Sequence, residues 1–163
     1  MVCRKVGFCG ILKLMKVYLA SDHAGFDLKE KIKDYLKSEN FDVEDCGAFQ
    51  LDPNDDYPVL ISKAAGKISK EPTSFAVVFG KSGAGEEIVA NKFENVRAVL
   101  GFSEENVRLA RVDNDANVLS LGLEFENFET AKELVKIFLE TPFSNEPRHT
   151  RRIAEIKEIE ANE

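Results

Sequence analysis

Tryptophan is absent from this sequence, and proline (five), cysteine (three) and histidine (two) are scarce across its 163 residues. The three cysteines, Cys3, Cys9 and Cys46, are an odd number with no C-x-x-C spacing. That excludes a disulfide scaffold and, with so little histidine, argues against a structural zinc site. No apolar run approaches the roughly 20 residues a membrane-spanning helix needs. An excess of positive charge is lacking too. Twenty-two Lys+Arg face 29 Asp+Glu, for a net charge of −7, which argues against nucleic acid or an anionic membrane as the main partner. Repeats and low-complexity tracts are missing. These absences point to a reduced, cytoplasmic, globular domain.

What is present is a regular alternation of short apolar runs and amphipathic stretches. The length suits one domain, and a chain of this size buries roughly two-thirds of the surface its unfolded form exposes. Residues 1–14 stand apart. Arg4 and Lys5 precede the apolar run Val6 to Leu12, superficially like a signal peptide, but Lys13 and Lys16 break it and no small-residue cleavage site follows. The expectation is a dispensable extension, with Met15 as a second possible start and residues 15–163 forming the single domain.

From Lys16 the runs Val17–Ala20, Phe41–Val43, Phe75–Phe79, Val96–Leu100 and Val118–Leu121 read as strands. Between and after them, Leu28 to Leu36, Val59 to Ser69, Glu86 to Lys92, Glu104 to Val112 and Phe128 to Leu139 read as helices. A last charged helix carries Ile153, Ile156 and Ile159. Such βαβ units predict an α/β protein with a five-stranded parallel sheet and right-handed crossovers. Ligands bind such sheets at the carboxyl ends of their strands, so the loops after Ala20, Phe79, Leu100 and Leu121 are the ones to inspect.

The loop after the third strand reads Gly80-Lys81-Ser82-Gly83-Ala84-Gly85-Glu86. It is not a P-loop, because Phe75 stands where the first glycine belongs, and Ile88 breaks the dinucleotide fingerprint. What remains is a glycine-rich turn whose N–H groups can converge on an anion, or a tight turn that needs one or two glycines for positive φ. The loop after the first strand, Ser21-Asp22-His23-Ala24-Gly25, offers a helix cap in Ser21 or Asp22 and a histidine beside it. Near the C-terminus, Arg148 and Arg152 share one helical face, suited either to one phosphate or to solvent.

Together these segments resemble a known family. Residues 21–25, Asp56-Tyr57-Pro58, Gly80 to Glu86 with Ala90-Asn91-Lys92, Arg97-Ala98, Leu109-Ala110-Arg111, Asn114 to Asn117 and Arg148-His149…Arg151-Arg152 are similar to ribose-5-phosphate isomerase B and its relatives, the LacAB/RpiB sugar-phosphate isomerases. The resemblance runs from about Met15 to Glu160. It implies a Rossmann-like αβα sandwich, a homodimer with sites shared between subunits, no metal and no cofactor. It also implies interconversion of aldose and ketose phosphates through a cis-enediolate, with ribose 5-phosphate and ribulose 5-phosphate as first candidates.

One branch of that family places a cysteine base just after the third strand, where this chain has Gly80. The other uses a glutamate six residues later, which matches Glu86. By the same resemblance, Ser82 and the amides of Gly83, Ala84 and Gly85 hold the enediolate oxygens, with Asn114 assisting. Asp22 and His23 bind sugar hydroxyls or phosphate, Tyr57 lines the sugar pocket, and Arg148, His149 and Arg152 take the phosphate. Three positions depart from the pattern. Asp113 replaces the histidine thought to open the furanose ring, Glu124 replaces an arginine that reaches phosphate, and Lys81 replaces a small residue. Glu124 is expected to turn away, to pair with Arg111 or Arg151, or to face another substrate group, with Lys81 supplying the missing positive charge. The ordinary pKa of aspartic acid, about 3.9 against about 6.5 for histidine, leaves it without a proton to give near neutrality and so the poorer ring-opening acid there. Two alternatives stand beside the pentose isomerase: an isomerase of acyclic substrates such as tetrulose 4-phosphates, and a non-catalytic sugar-phosphate binder. Ile153, Ile156 and Ile159 further suggest that the C-terminal helix packs across a partner.

Overall fold

The third strand, β3 (Phe75–Gly80), has all six residues buried, as a strand covered on both faces must. It lies at the centre of a five-stranded, all-parallel sheet of order β2-β1-β3-β5-β4. The computed structural model describes residues 15–124 and 127–162; the expected extension, residues 1–14, lies outside them. The other strands are β1 (Lys16–Ser21), β2 (Asp42–Asp45), β4 (Ala98–Leu100) and β5 (Val118–Gly122). The helices are α1 (Phe26–Ser38), α2 (Tyr57–Lys70), α3 (Ala84–Ala90), α4 (Glu104–Asn114), α5 (Phe128–Glu140) and α6 (Pro147–Glu160). The αβα sandwich read from the sequence is the fold.

Alternation along the strands divides the core in two. Val17, Leu19, Phe75, Val77, Phe79, Leu119 and Leu121 point to one face and meet α1, α4 and α5 through residues such as Leu28, Ile32, Val107, Leu134 and Phe138. The neighbours between them, Tyr18, Ala20, Ala76, Val78 and Val118, point to the other face and meet Ile61, Ala64, Ala65 and Ile68 of α2 and Ala90 of α3. Phe75 and Phe138 pack edge to face at 5.3 Å. Each such fully buried aromatic contributes roughly 2–3 kcal/mol.

Boundaries shift where side chains intervene. The expected fourth strand, Val96–Leu100, shortens to Ala98–Leu100. Its first residues are diverted, since Val96 N–H donates to Phe93 and Arg97 N–H to Asn117 Oδ1. Helix α3 begins two residues before Glu86, because Gly83 (φ +78°) turns the chain in the left-handed region that a side chain disfavours. Helix α2 starts at Tyr57 with Pro58 in its first turn.

The strand order reverses between β1 and β3: the chain leaves β1 for β2 on one side, then crosses to β3 on the other. This switch point opens a crevice at the carboxyl ends of both strands. Gly25 keeps the crevice narrow, because a Cβ there would sit 2.5 Å from the Phe79 backbone. Its φ of −88° is one any residue adopts, so the requirement is for space. Gly25→Ala is expected to cost about 3 kcal/mol, read as a lower urea midpoint at unchanged slope.

Candidate active site

Glu86 stands in the first turn of α3, yet it is 4% exposed. Of the two acids at this helix start, Glu87 reaches sideways and its carboxylate accepts from Leu100 N–H at 3.0 Å, tying α3 to β4. Glu86 turns inward instead, into the space beside Gly80. A Cβ on Gly80 would fall within the Glu86 carboxylate, so only glycine at 80 leaves room for it. Burial pushes the Glu86 carboxyl above the usual carboxylate range; its own backbone amide pulls the other way, and the charge of Asp22 adds to the rise.

The turn around that carboxylate is held from below. Gly83 C=O accepts from the buried Ser120 hydroxyl at 2.6 Å, and Gly122 lies so close that a Cβ there would meet Ser82 O at 2.5 Å. Ser82 is exposed, and its Oγ accepts from the Ala84 N–H at 3.3 Å. Tyr57 lies over Gly85, where a Cβ would come 2.9 Å from its ring.

Asp22 behaves as a turn-forming acid. Its Oδ1 accepts from Gly25 N–H at 3.1 Å and it is 8% exposed. His23 sits outward of it with Nδ1 2.7 Å from Asp55 Oδ1, and the same oxygen accepts from His23 N–H at 2.9 Å. That hydrogen bond lifts the imidazole pKa above its ordinary value, with burial opposing and the charges of Asp22, Asp55 and Asp52 adding. Asp55 was not singled out in the sequence. It lies in an acidic loop with Asp52 and Asp56, and only the fold selects it.

The remaining predicted residues lie elsewhere. Asp113 and Asn114 close α4, four residues before β5 begins, and are therefore at the amino-terminal edge of the sheet. Gly122, level with Gly80, ends the same strand; four strand steps separate the two edges by about 13 Å. Arg148, His149 and Arg152 of α6 belong to this second cluster. His149 is 2% exposed; its Nδ1 is 2.9 Å from Ser144 Oγ and 3.6 Å from Asp113 Oδ1. Arg148 and Arg152 are exposed, and Arg148 pairs with Glu146 at 2.9 Å. One chain thus brings Asp22, His23, Tyr57, Ser82, Gly83, Ala84, Gly85 and Glu86 together, but not Asp113, Asn114, Arg148, His149 or Arg152. Among the described residues there is no group of three His, Cys, Asp or Glu placed to hold a metal, and no helix is long and apolar enough to cross a membrane.

Glu124 pairs with neither Arg111 nor Arg151. Arg111 is buried on Asp115 at 2.8 Å, and Arg151 faces Glu155 at 3.4 Å. Glu124 instead stands 3.8 Å from Lys81 Nζ across the mouth of the crevice, where both side chains are exposed. A pair this wet contributes little to stability.

A buried glutamate on a glycine-rich turn thus stands at the switch point of an α/β sheet. The sequence profile of the ribose/galactose isomerases matches residues 17–156. The chain belongs to this family. Ribose-5-phosphate isomerase B of Mycolicibacterium paratuberculosis is 42% identical over 146 residues, covering 90% of this chain and 92% of that one. The enzyme of the same name from Mycobacterium tuberculosis is 40% identical, covering 90% of each. Among solved structures, ribose-5-phosphate isomerase B from Mycoplasma genitalium with bound ribulose-5-phosphate superposes with a TM-score of 0.88 at 35% identity. That match covers 91% of this chain and 98% of the other. The Clostridium thermocellum enzyme gives 0.86 at 33%, covering 91% and 99%.

In this member of the ribose/galactose isomerases the buried carboxylate carries a stability cost. A carboxyl whose pKa is raised by folding disfavours the folded state increasingly as pH rises above the ordinary glutamate range and Glu86 is made to ionise. Glu86→Gln keeps the shape and removes the charge. At pH 7 it is expected to gain about 1 kcal/mol, read as a melting temperature about 2–4 °C higher; an unchanged or lower value would contradict the burial argument.

Proposed function

We propose that this protein is an aldose–ketose isomerase that interconverts ribose 5-phosphate and ribulose 5-phosphate in the cytoplasm, with Glu86 as the base. The observation that carries the reading is the Glu86 carboxylate, sealed beside Gly80 and next to the Ser82–Gly85 turn. A base for a carbon acid needs a pKa nearer neutrality than an exposed glutamate has, and burial supplies that. Glu86 takes the proton from C2 of the open-chain aldose, and the electron pair moves through C1 onto the carbonyl oxygen to give a cis-enediolate. The Ser82 hydroxyl and the amides of Gly83, Ala84 and Gly85 are donors for the developing charge. Glu86 returns its proton to C1 as C2 becomes the ketone, and the hydroxyl proton passes from the C2 oxygen to the C1 oxygen. Asp22 and Tyr57 hold the sugar, and His23 faces the phosphorylated end.

The cationic half of the site comes from a second copy in this reading. Arg148, His149, Arg152, Asp113 and Asn114 of one protomer close over the crevice of the other in a two-fold dimer. The exposed apolar side chains Phe49, Leu51, Val59, Ile88 and Phe102 near the crevice, and Ile156 and Ile159 on α6, support association. The closed site joins cations to an anionic substrate at the place where one chain alone gathers carboxylates.

Light scattering is expected to give a dimer at micromolar concentration. Glu86→Gln is expected to lower kcat by at least about 10². Arg148→Ala/Arg152→Ala is expected to lose phosphate binding. Co-expression of these two defective chains restores activity, since half the dimers are mixed and each mixed dimer has one intact site. The yield is about a quarter of wild type; activity no greater than the sum of the parents would refute the shared site.

One observation favours a second reading, in which open-chain substrates such as tetrulose 4-phosphates turn over better than a furanose. Asp113 stands where the resemblance expects a ring-opening histidine, and its Oδ1 lies 3.6 Å from His149 Nδ1. Asp113→His is then expected to raise kcat/KM for ribose 5-phosphate several-fold and leave that for a tetrulose 4-phosphate unchanged. Ordinary wild-type turnover of ribose 5-phosphate with no gain from the histidine would eliminate this reading.

A further inference from the structure

Asp55 is the described carboxylate whose surroundings explain it least. Its side chain is 13% exposed, and among the described residues its one ion-pair partner is His23. Oδ1 takes two hydrogen bonds from that one residue, while Oδ2 is buried with no partner at all. A carboxylate buried this far without lysine or arginine is costly. A structural clamp between the β1–α1 and β2–α2 loops would need only the bond from the His23 backbone N–H. The second bond, to the ring, is what makes the charge useful.

We propose that Asp55 is a positioning residue: it accepts the His23 Nδ1 proton and fixes the orientation of the ring, so that Nε2 is presented to the phosphate of the substrate. This rests on the functional reading above. At 2.7 Å the Nδ1–Oδ1 contact is in the range of a charge-assisted bond. A carboxylate oxygen accepts only, so Nδ1 carries the proton, and a further proton on Nε2 makes the ring a donor to an anion. The charged groups that act on this ring are Asp22 on its own loop and Asp55 and Asp52 on the loop packed against it. All three favour the imidazolium. The protonated ring, with Nδ1–H on Asp55 and Nε2–H free for an anion, is the form these carboxylates favour.

Asp55→Asn separates the two roles, because the amide oxygen still accepts both bonds while the charge is gone. With two histidines in the chain, the ring-proton NMR titration is simple, and His23→Gln assigns the His23 signals. The expected result is a His23 pKa displaced downward in Asp55→Asn. With ribose 5-phosphate, KM is expected to rise about tenfold at pH 7.5, to approach wild type near pH 5.5, and to do so with little change in kcat. In the His23→Gln background, Asp55→Asn is expected to add nothing to KM. A His23 titration that does not move overturns the proposal, even if the chain turns over no ribose 5-phosphate, in which case the functional reading fails separately. Overturning results are also an equal loss of kcat at every pH, or an additive double variant, since both would mark Asp55 as a loop clamp only.

Discussion

Like charges gathered at the carboxyl end of the sheet are the constraint from which the rest of this molecule follows. Glu86, Asp22 and Asp55 all lie there, each at least largely buried, in a chain with seven more acids than bases. Such a crevice repels an anionic substrate at several kcal/mol per close contact unless cations are brought to it. The fold supplies few. Arg148 and Arg152 are on α6 at the far edge of the sheet, and Lys81 spends its charge on Glu124 in open solvent. In the reading proposed above, His23 held by Asp55 and the arginines of a second chain would bring the positive groups to the crevice. On that proposal, electrostatics would favour association as much as the exposed apolar residues of α6 do.

Most of the fold was legible because its signals are local. Strands buried on both faces read as uninterrupted apolar runs, and β1, β3 and β5 were placed to within a residue or two. The misplaced boundaries have specific causes. β4 starts late because Asn117 captures a backbone N–H that a strand would have used, and α3 starts early because Gly83 turns the chain at positive φ. Neither cause lies in the segment that was misread.

The site was legible in a different way. The Gly80–Glu86 segment announces itself by composition, and the choice between Glu86 and Glu87 required only knowing which one turns inward. Asp55 and Ser120 carry no such mark. One is an acid in a loop of acids and the other a polar residue in a buried strand, and each gains meaning only from what the fold sets against it. The separation of the predicted residues into two clusters was hidden for the same reason, since sequence order does not say which end of the sheet a helix terminus faces.

The contact between residues 80 and 86 also bears on how this sequence can vary. The volume beside the third strand holds either a side chain on residue 80 or the carboxylate of residue 86, but not both in place. A cysteine, serine or alanine at 80 is conservative in chemistry and mild in backbone demand, yet it would displace the acid from its seat. Conversely, shortening residue 86 leaves a void that glycine cannot fill. Each position is thus constrained by the other's present occupant, because a side chain at 80 and the carboxylate of residue 86 cannot both keep these places. Variation at these two sites is a single event in two places, six residues apart.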